Sequence, residues 1–144
     1  MEGNINIREA HKDDFGWIAR TMQDALKHYY GGDHFGHAKR IFDAHIAGGQ
    51  DHIGFFSFEQ RMFILEVSGT IAGMIHLVGK KQSTYKISPL IISPEYQGRL
   101  GLGSQLLTYA EEYARKGGKA RQLYCTVAEK NYAAMQFFLR KGFI

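Results

Sequence analysis

An apolar segment, "SPLIIS" (residues 88–93), runs directly into "PEYQGRLGLGSQ" and from there into "LLTYAEEYARKGG". The first piece reads as a strand. The last reads as an amphipathic helix, with Leu102, Leu106, Ala110, Tyr113 and Ala114 on one face and Glu111, Glu112, Arg115 and Lys116 on the other. Between them lie Gly98, Gly101 and Gly103. A strand that enters a glycine loop and opens a helix leaves the first helical amides without intrahelical partners. The helix dipole adds partial positive charge there, and glycine lets the backbone approach closely. Such a start suits a phosphate or pyrophosphate, with Arg99 as a charged donor. A plain strand-to-helix turn is the alternative reading.

Two nucleotide signatures are excluded by spacing. A G-x-G-x-x-G fingerprint counted from Gly101 needs glycine where Leu106 stands. A P-loop needs Gly-Lys-Ser/Thr, whereas Gly103 is followed by Ser104 and Gln105.

The rest of the chain alternates the two hydrophobic periods. "INIREA" (residues 5–10) is a short strand, and "HKDDFGWIARTMQDAL" (11–26) a helix capped by Asp13 or Asp14. "KHYYGGDHFGH" (27–37) reads as a loop, and "AKRIFDAHIAGG" (38–49) as a second helix. "RMFILEVSGTIAGMIHLVGKK" (61–81) is a hairpin about Ser68–Gly69. "TYKISPLIIS" (84–93) and "ARQLYCTVA" (120–128) are strands, and "KNYAAMQFFLRKG" (130–142) is a last helix. This order predicts an α/β (α+β) mixed sheet with helices on both faces. Pro89 lacks an N–H, so it belongs at a bulge or on an edge strand.

At 144 residues with 44% hydrophobic content, the chain is expected to form one domain, residues 1–144. No apolar run approaches the roughly 20 residues of a membrane helix. The start lacks a signal-peptide pattern, and Cys125 is the only cysteine. A cytoplasmic protein without membrane association is therefore expected. A net charge of +4 suits anionic partners without choosing among them. There is no basic run, so nucleic acid is a weak candidate. His28, His34 and His37 match no tight metal spacing, and no metal is expected.

"PEYQGRLGLGSQLL" and "VAEKNYAAMQFFLRKGF" together resemble the GNAT superfamily of N-acetyltransferases. The first is similar to its Gln/Arg-x-x-Gly-x-Gly/Ala signature. The second is similar to its downstream motif, with Asn131, Ala134, Phe137, Phe138, Gly142 and Phe143 in register. The resemblance implies a mostly antiparallel central sheet with a splayed strand pair. It implies acetyl-CoA, or another acyl-CoA, as cofactor, and transfer of the acyl group to a primary amine in a ternary complex. A module that binds acetyl-CoA without catalysis is the alternative. The main-chain amides of Ile91 and Ile92 are the implied pantetheine contacts, and the same amides are candidates for the thioester oxygen. Gln97, Gly98, Arg99, Leu100, Gly101, Leu102, Gly103 and Ser104 are the implied pyrophosphate cradle. Asn131 is the implied contact to the pantetheine arm, with a helix N-cap as its other reading, and Phe138 lines the same site.

Three features depart from the family pattern. Gln97 lies four positions before Gly101 rather than three, so Leu100 reads as an insertion. Phe138 stands where a tyrosine often protonates the leaving thiolate, leaving Tyr132 or Tyr124 as substitutes. The family usually continues through further strands beyond the position of Ile144, so a shortened chain, or a homodimer that exchanges a strand, is expected. The base that takes the amine proton is sought in Glu66, His76 or Glu95, because Thr126 occupies the position where some relatives carry glutamate. His76 titrates in the useful range, with a hydrogen-bonded sheet histidine as its other reading. The resemblance places acceptor recognition, of a small-molecule or peptide amine, in the 27–37 loop. Tyr29, Tyr30, Asp33 and Phe35 are candidates there, Asp33 as partner of a cationic amine.

Overall fold

A computed structural model describes residues 4–48, 57–80, 83–98, 100–116, 121–126 and 131–143. Strand β1 (Ile5–Glu9) is followed by a 3-10 turn (Lys12–Asp14), helix α1 (Phe15–Leu26) and helix α2 (His34–Ile46). Strands β2 (Ser57–Val67), β3 (Thr70–Lys80) and β4 (Thr84–Ile92) come next. A second 3-10 turn (Pro94–Tyr96), helix α3 (Leu102–Arg115), strand β5 (Gln122–Cys125) and helix α4 (Tyr132–Arg140) complete the order.

The five strands lie in chain order, β1-β2-β3-β4-β5. The first three pairings are antiparallel and the last, β4 with β5, is parallel. Alternation along the strands builds two cores. Phe63, Leu65, Ile75, Leu77, Tyr85 and Ile87 pack against the Leu102, Leu106, Ala110 and Ala114 stripe of α3. Met62, Ile64 and Met74 project to the other face, onto Ile18, Met22, Ala38, Ile41 and Phe42 of α1 and α2. The mixed sheet with helices on both faces therefore matches the pattern read from the two periods. The β2–β3 turn at Ser68–Gly69 has φ of 50° and 84°, the left-handed pair of a type I′ hairpin.

Two boundaries differ from the sequence reading. Helix α2 begins at His34, inside the expected 27–37 loop, because Asp33 caps it: its Oδ1 accepts the Gly36 amide at 2.9 Å. Strand β2 begins at Ser57 rather than Arg61, where Glu59 gathers a buried network. Its carboxylate accepts from Tyr85 Oη at 2.5 Å, Tyr113 Oη at 2.7 Å and Arg61 Nε at 3.2 Å. Burial and the Glu59 carboxylate push the Tyr113 hydroxyl up to about 12, so it stays a donor. This network ties the C-terminal half of α3 to the sheet.

At the other side of the sheet, Arg8 holds Asp14 through Nη1 (2.7 Å) and Nη2 (3.0 Å), and the His11 amide donates to the same carboxylate at 2.8 Å. Burial pushes the Asp14 carboxyl up, but the bonds from Arg8 and His11 outweigh it, and it titrates below its usual range. A depressed carboxyl contributes stability that is complete above its unfolded pKa of about 3.9 and is lost as pH falls through the folded value. Urea midpoints of the native chain are expected to drop below about pH 4, and Asp14→Asn should flatten that acid limb while lowering the pH 7 midpoint.

Candidate active site

Strand β4 organises the site. Its pairing with β5 covers only Thr84 to Ile87, against Gln122 to Cys125. From there β4 continues to Ile92 against β3 alone. The register of β3 and β4 shifts between Ile75 and Leu77, opposite Ser88 and Pro89, which are joined by a cis peptide. Pro89 has no N–H to give to a ladder, so the bulge falls on it. Beyond Ile87 the outer edge of β4 runs on to Ile92 with no strand partner among the described residues, and this open edge is the candidate fork.

The direction of the amides in the fork follows from one bond. Ser93 donates to the Ala72 carbonyl at 2.8 Å, toward β3. Successive amides alternate across a strand, so with Met74 opposite Ile91 the Ile91 amide also faces β3. The amides of Ile92 and Leu90 face the fork. The amide of Ile91, expected as a donor to the pantetheine, instead lies in the β3 ladder, while that of Leu90 points to the open edge. The signal was available in the sequence, since donors on one edge must be two residues apart.

The loop after β4 is braced at both ends. Gln97 donates its side-chain amide to the Ile92 carbonyl at 2.8 Å, and Gln105 donates to the Leu100 carbonyl at 3.1 Å. Gln97 thus holds the loop to β4 instead of offering its side chain outward. The inserted Leu100 and the helix-capping Gly101 both take φ of 61°. The extra residue is absorbed in this left-handed pair, at a cost of about 1 kcal/mol for the non-glycine member. A Cβ added at Gly101 would meet no atom within 4 Å, so open space faces the helix start. Gly103 is different: a Cβ there would lie 3.2 Å from the Phe137 ring and 4.0 Å from Ile92. The start of α3, the end of β4 and helix α4 converge at that glycine. Leu102 is buried beneath the helix start and Ser104 is half-buried in its first turn, while Arg99 lies outside the described residues.

Asn131 is the N-cap of α4, its Oδ1 accepting the Ala134 amide at 3.2 Å. Phe138 packs edge-on against Phe137 and Phe143, at 5.2 and 5.1 Å, and supplies no proton.

The three expected catalytic side chains are not brought together. The Glu66 carboxylate accepts from Arg8 Nε at 3.2 Å and Nη2 at 3.1 Å, and from Asn6 at 3.5 Å, on the β1 side of the sheet. That ion pair removes it from the fork. Tyr132 is 69% exposed at the start of α4. His76 sits behind the bulge, 2% exposed, with Nδ1 on the Ser88 carbonyl and Nε2 2.5 Å from Gln60 Oε1. Burial lowers its pKa to about 3, against the opposing effect of the Ser88 bond, with His37 and Arg40 lowering it further. A neutral ring carries one N–H: Nδ1 donates it to the Ser88 carbonyl, and Nε2 then accepts from the Gln60 side-chain amide, whose O and N exchange places. The ring is a strut for the bulge rather than a base. Asp33, expected to meet a cationic amine, is committed to capping α2.

Residues 14–143 match the family model described as the acetyltransferase (GNAT) family. An uncharacterized N-acetyltransferase of Methanocaldococcus jannaschii is 31% identical over 91 residues, covering 59% of this chain and 39% of that protein. The spermidine N(1)-acetyltransferase of Escherichia coli K12 is 24% identical over 148 residues, covering 97% of this chain and 73% of that protein. Among solved structures, an aminoglycoside N-acetyltransferase in complex with CoA shares the fold at a TM-score of 0.71 and 14% identity, covering all of this chain and 90% of that one. No described helix is long and apolar enough to cross a membrane. With the family model spanning almost the whole chain and the forked strand followed by a glycine-capped helix, this protein belongs to the GNAT family of acetyltransferases, and is by that membership an acyltransferase.

Proposed function

We propose that the chain transfers an acetyl, or another acyl, group from acyl-CoA to a primary amine by direct attack in a ternary complex. The observation that carries this reading is the continuity of donors that have no partner among the described residues. The Leu90 and Ile92 amides face the fork, and the fork leads to a helix start with open space in front of it.

Each part has a role. The helix start and its preceding turn fit a pyrophosphate, and the β4 edge fits the amides of a pantetheine chain by strand-like pairing. Acyl-CoA supplies the thioester that the amine attacks. A fork-facing amide, from Leu90 or Ile92, donates to the thioester oxygen as negative charge develops there. Phe138 provides no acid. A thiol with a pKa near 8.5 leaves tolerably as the thiolate at neutral pH, so none is required. With Glu66 and His76 both engaged elsewhere, Glu95 is the expected base that remains, and the amine proton goes to it or to water.

The aromatic packing of Phe138 favours a second reading, a module that binds acetyl-CoA without turnover. Release of CoA, measured with a panel of primary amines alongside calorimetric binding of acetyl-CoA, decides between them. Binding with release on at least one amine is the expected result. Binding without release on every amine supports the second reading, and no binding at all removes both.

A further inference from the structure

Helices α2 and α4 start on side-chain caps: Asp33 accepts the Gly36 amide at 2.9 Å, and Asn131 accepts the Ala134 amide at 3.2 Å. Each cap steadies its helix by spending one of the first amides. Helix α3 starts differently. Its N-cap is Gly101, which has no side chain to accept such a bond. The bonds that steady this start reach the carbonyls instead.

Gln105, in the first turn of α3, holds two successive carbonyls. Its side-chain amide donates to the Leu100 carbonyl at 3.1 Å, and its main-chain amide donates to the Gly101 carbonyl at 3.1 Å. The only cis peptide among the described residues joins Ser88 to Pro89, so both of these peptides are trans. In a trans peptide the N–H points opposite to the C=O. Holding the Leu100 carbonyl therefore turns the Gly101 amide away from the helix. Holding the Gly101 carbonyl does the same for the Leu102 amide. One residue thus sets the direction of two donors at the helix start, and it spends neither of them.

The need for this hold comes from the insertion. Leu100 takes φ of 61°, a left-handed backbone that disfavours leucine. Its side chain is 36% exposed, so packing does little to keep it there. Gly101 beside it is also left-handed and has no side chain to pack. At the other end of the loop, Gln97 fixes where the chain leaves β4, through the Ile92 carbonyl. The peptides next to the helix are held from Gln105.

We propose that Gln105 is a positioning residue for acetyl-CoA: by tying back the carbonyl of the inserted Leu100, it aims the Gly101 and Leu102 amides at the pyrophosphate. The proposal rests on the acyl-transfer reading given above. With this bond in place, the extra residue costs the helix start no donor. Without it the left-handed pair relaxes and the two amides lose their common direction. The ligand must then order the loop itself, at a cost in affinity. Gln105 touches no reacting group, so the effect falls on cofactor binding and leaves the chemical step alone.

The test is Gln105→Met in the full chain. Methionine keeps the length and helix propensity of the side chain and removes its donor. Binding of acetyl-CoA is measured by titration calorimetry, and the thermal midpoint of the unliganded protein shows that the fold is intact. The Kd for acetyl-CoA is expected to rise about 5-fold, the size of one hydrogen bond. With an amine that is acetylated, KM for acetyl-CoA should rise with Kd while kcat stays unchanged. A second pair of proteins lacks Leu100, which restores the Gln-x-x-Gly spacing. In that background Gln105→Met should change Kd by less than about 2-fold, because the residue it holds is gone. An unchanged Kd in Gln105→Met overturns the proposal, as does a fall in kcat with KM unchanged. An equal loss with and without Leu100 overturns the link to the insertion. Where the shortened loop does not fold, the Kd of Gln105→Met decides alone. Failure of the native chain to bind acetyl-CoA overturns the acyl-transfer reading itself, so the two failures are told apart.

Discussion

Gly101→Asp is expected to weaken acetyl-CoA binding about 100-fold, whereas Gly101→Asn should weaken it by less than about 5-fold. Gly101 sits in the left-handed region, at φ 61° and ψ 36°, and a Cβ there projects into open space. Asparagine and aspartate are the side chains that tolerate this backbone best, so both variants lose a similar stability of about 1 kcal/mol. They differ in one formal charge. The carboxylate lies where the helix start would receive a pyrophosphate, competes for its amides, and repels the anion. At an effective dielectric near 20, two unit charges 4 Å apart differ by about 4 kcal/mol from the neutral case, and salt reduces this. Titration calorimetry at two ionic strengths reads the difference directly. Equal losses in the two variants would place the pyrophosphate elsewhere.

The second large effect concerns His76. His76→Ala is expected to cost about 3 kcal/mol of stability, a large fraction of what a domain of this size has. The Ser88 carbonyl and the Gln60 side chain each lose a partner in a buried layer, and a ring-sized void remains. His76→Gln, which can keep one of the two bonds, should cost less. A pH signature separates this strut from simple packing. A histidine with a folded pKa near 3 and an unfolded pKa near 6.5 contributes stability that is complete above pH 6.5. As pH falls toward 3 the unfolded chain takes up a proton that the folded ring refuses, and stability declines. Urea midpoints of the native chain should therefore fall between pH 7.5 and pH 5. The decline should be shallower in His76→Gln by about 1.4 kcal/mol per pH unit below 6.5. His45, whose pKa burial also lowers, keeps part of the slope in both proteins. Identical slopes would show that His76 does not remain neutral in the fold. Because the ring holds the Ser88 carbonyl at the start of the fork, acetyl-CoA affinity should weaken in His76→Ala along with stability.

Much of this site is legible in the order of its residues. The amphipathic stripe of α3, the Ser68–Gly69 hairpin and the glycine-capped helix start all follow from local rules, because a residue's period, turn preference and missing Cβ are properties of a few neighbours. Pro89 announces its bulge for the same reason: the absent N–H is a covalent fact. Asn131 is readable as an N-cap from its position before α4, and it is one.

The expectations that failed depended on where a side chain meets a distant partner. Glu66 and His76 are chemically able bases on the hairpin, and nothing local shows that Arg8, 58 residues away, holds the first or that Gln60 and Ser88 hold the second. The choice between Ile91 and Leu90 requires the side of β4 on which β3 pairs, a long-range register. Helix α2 starts early because Asp33 caps it, yet its direction over the sheet is set by the packing of Ala38, Ile41 and Phe42 on β2 and β3. Sequence alone determined the elements, the glycine-capped helix start and the family resemblance, since each is encoded within a few turns of chain. Only the tertiary structure decided which donors face the fork and which titratable groups are already paired, because those depend on contacts between residues far apart in the chain.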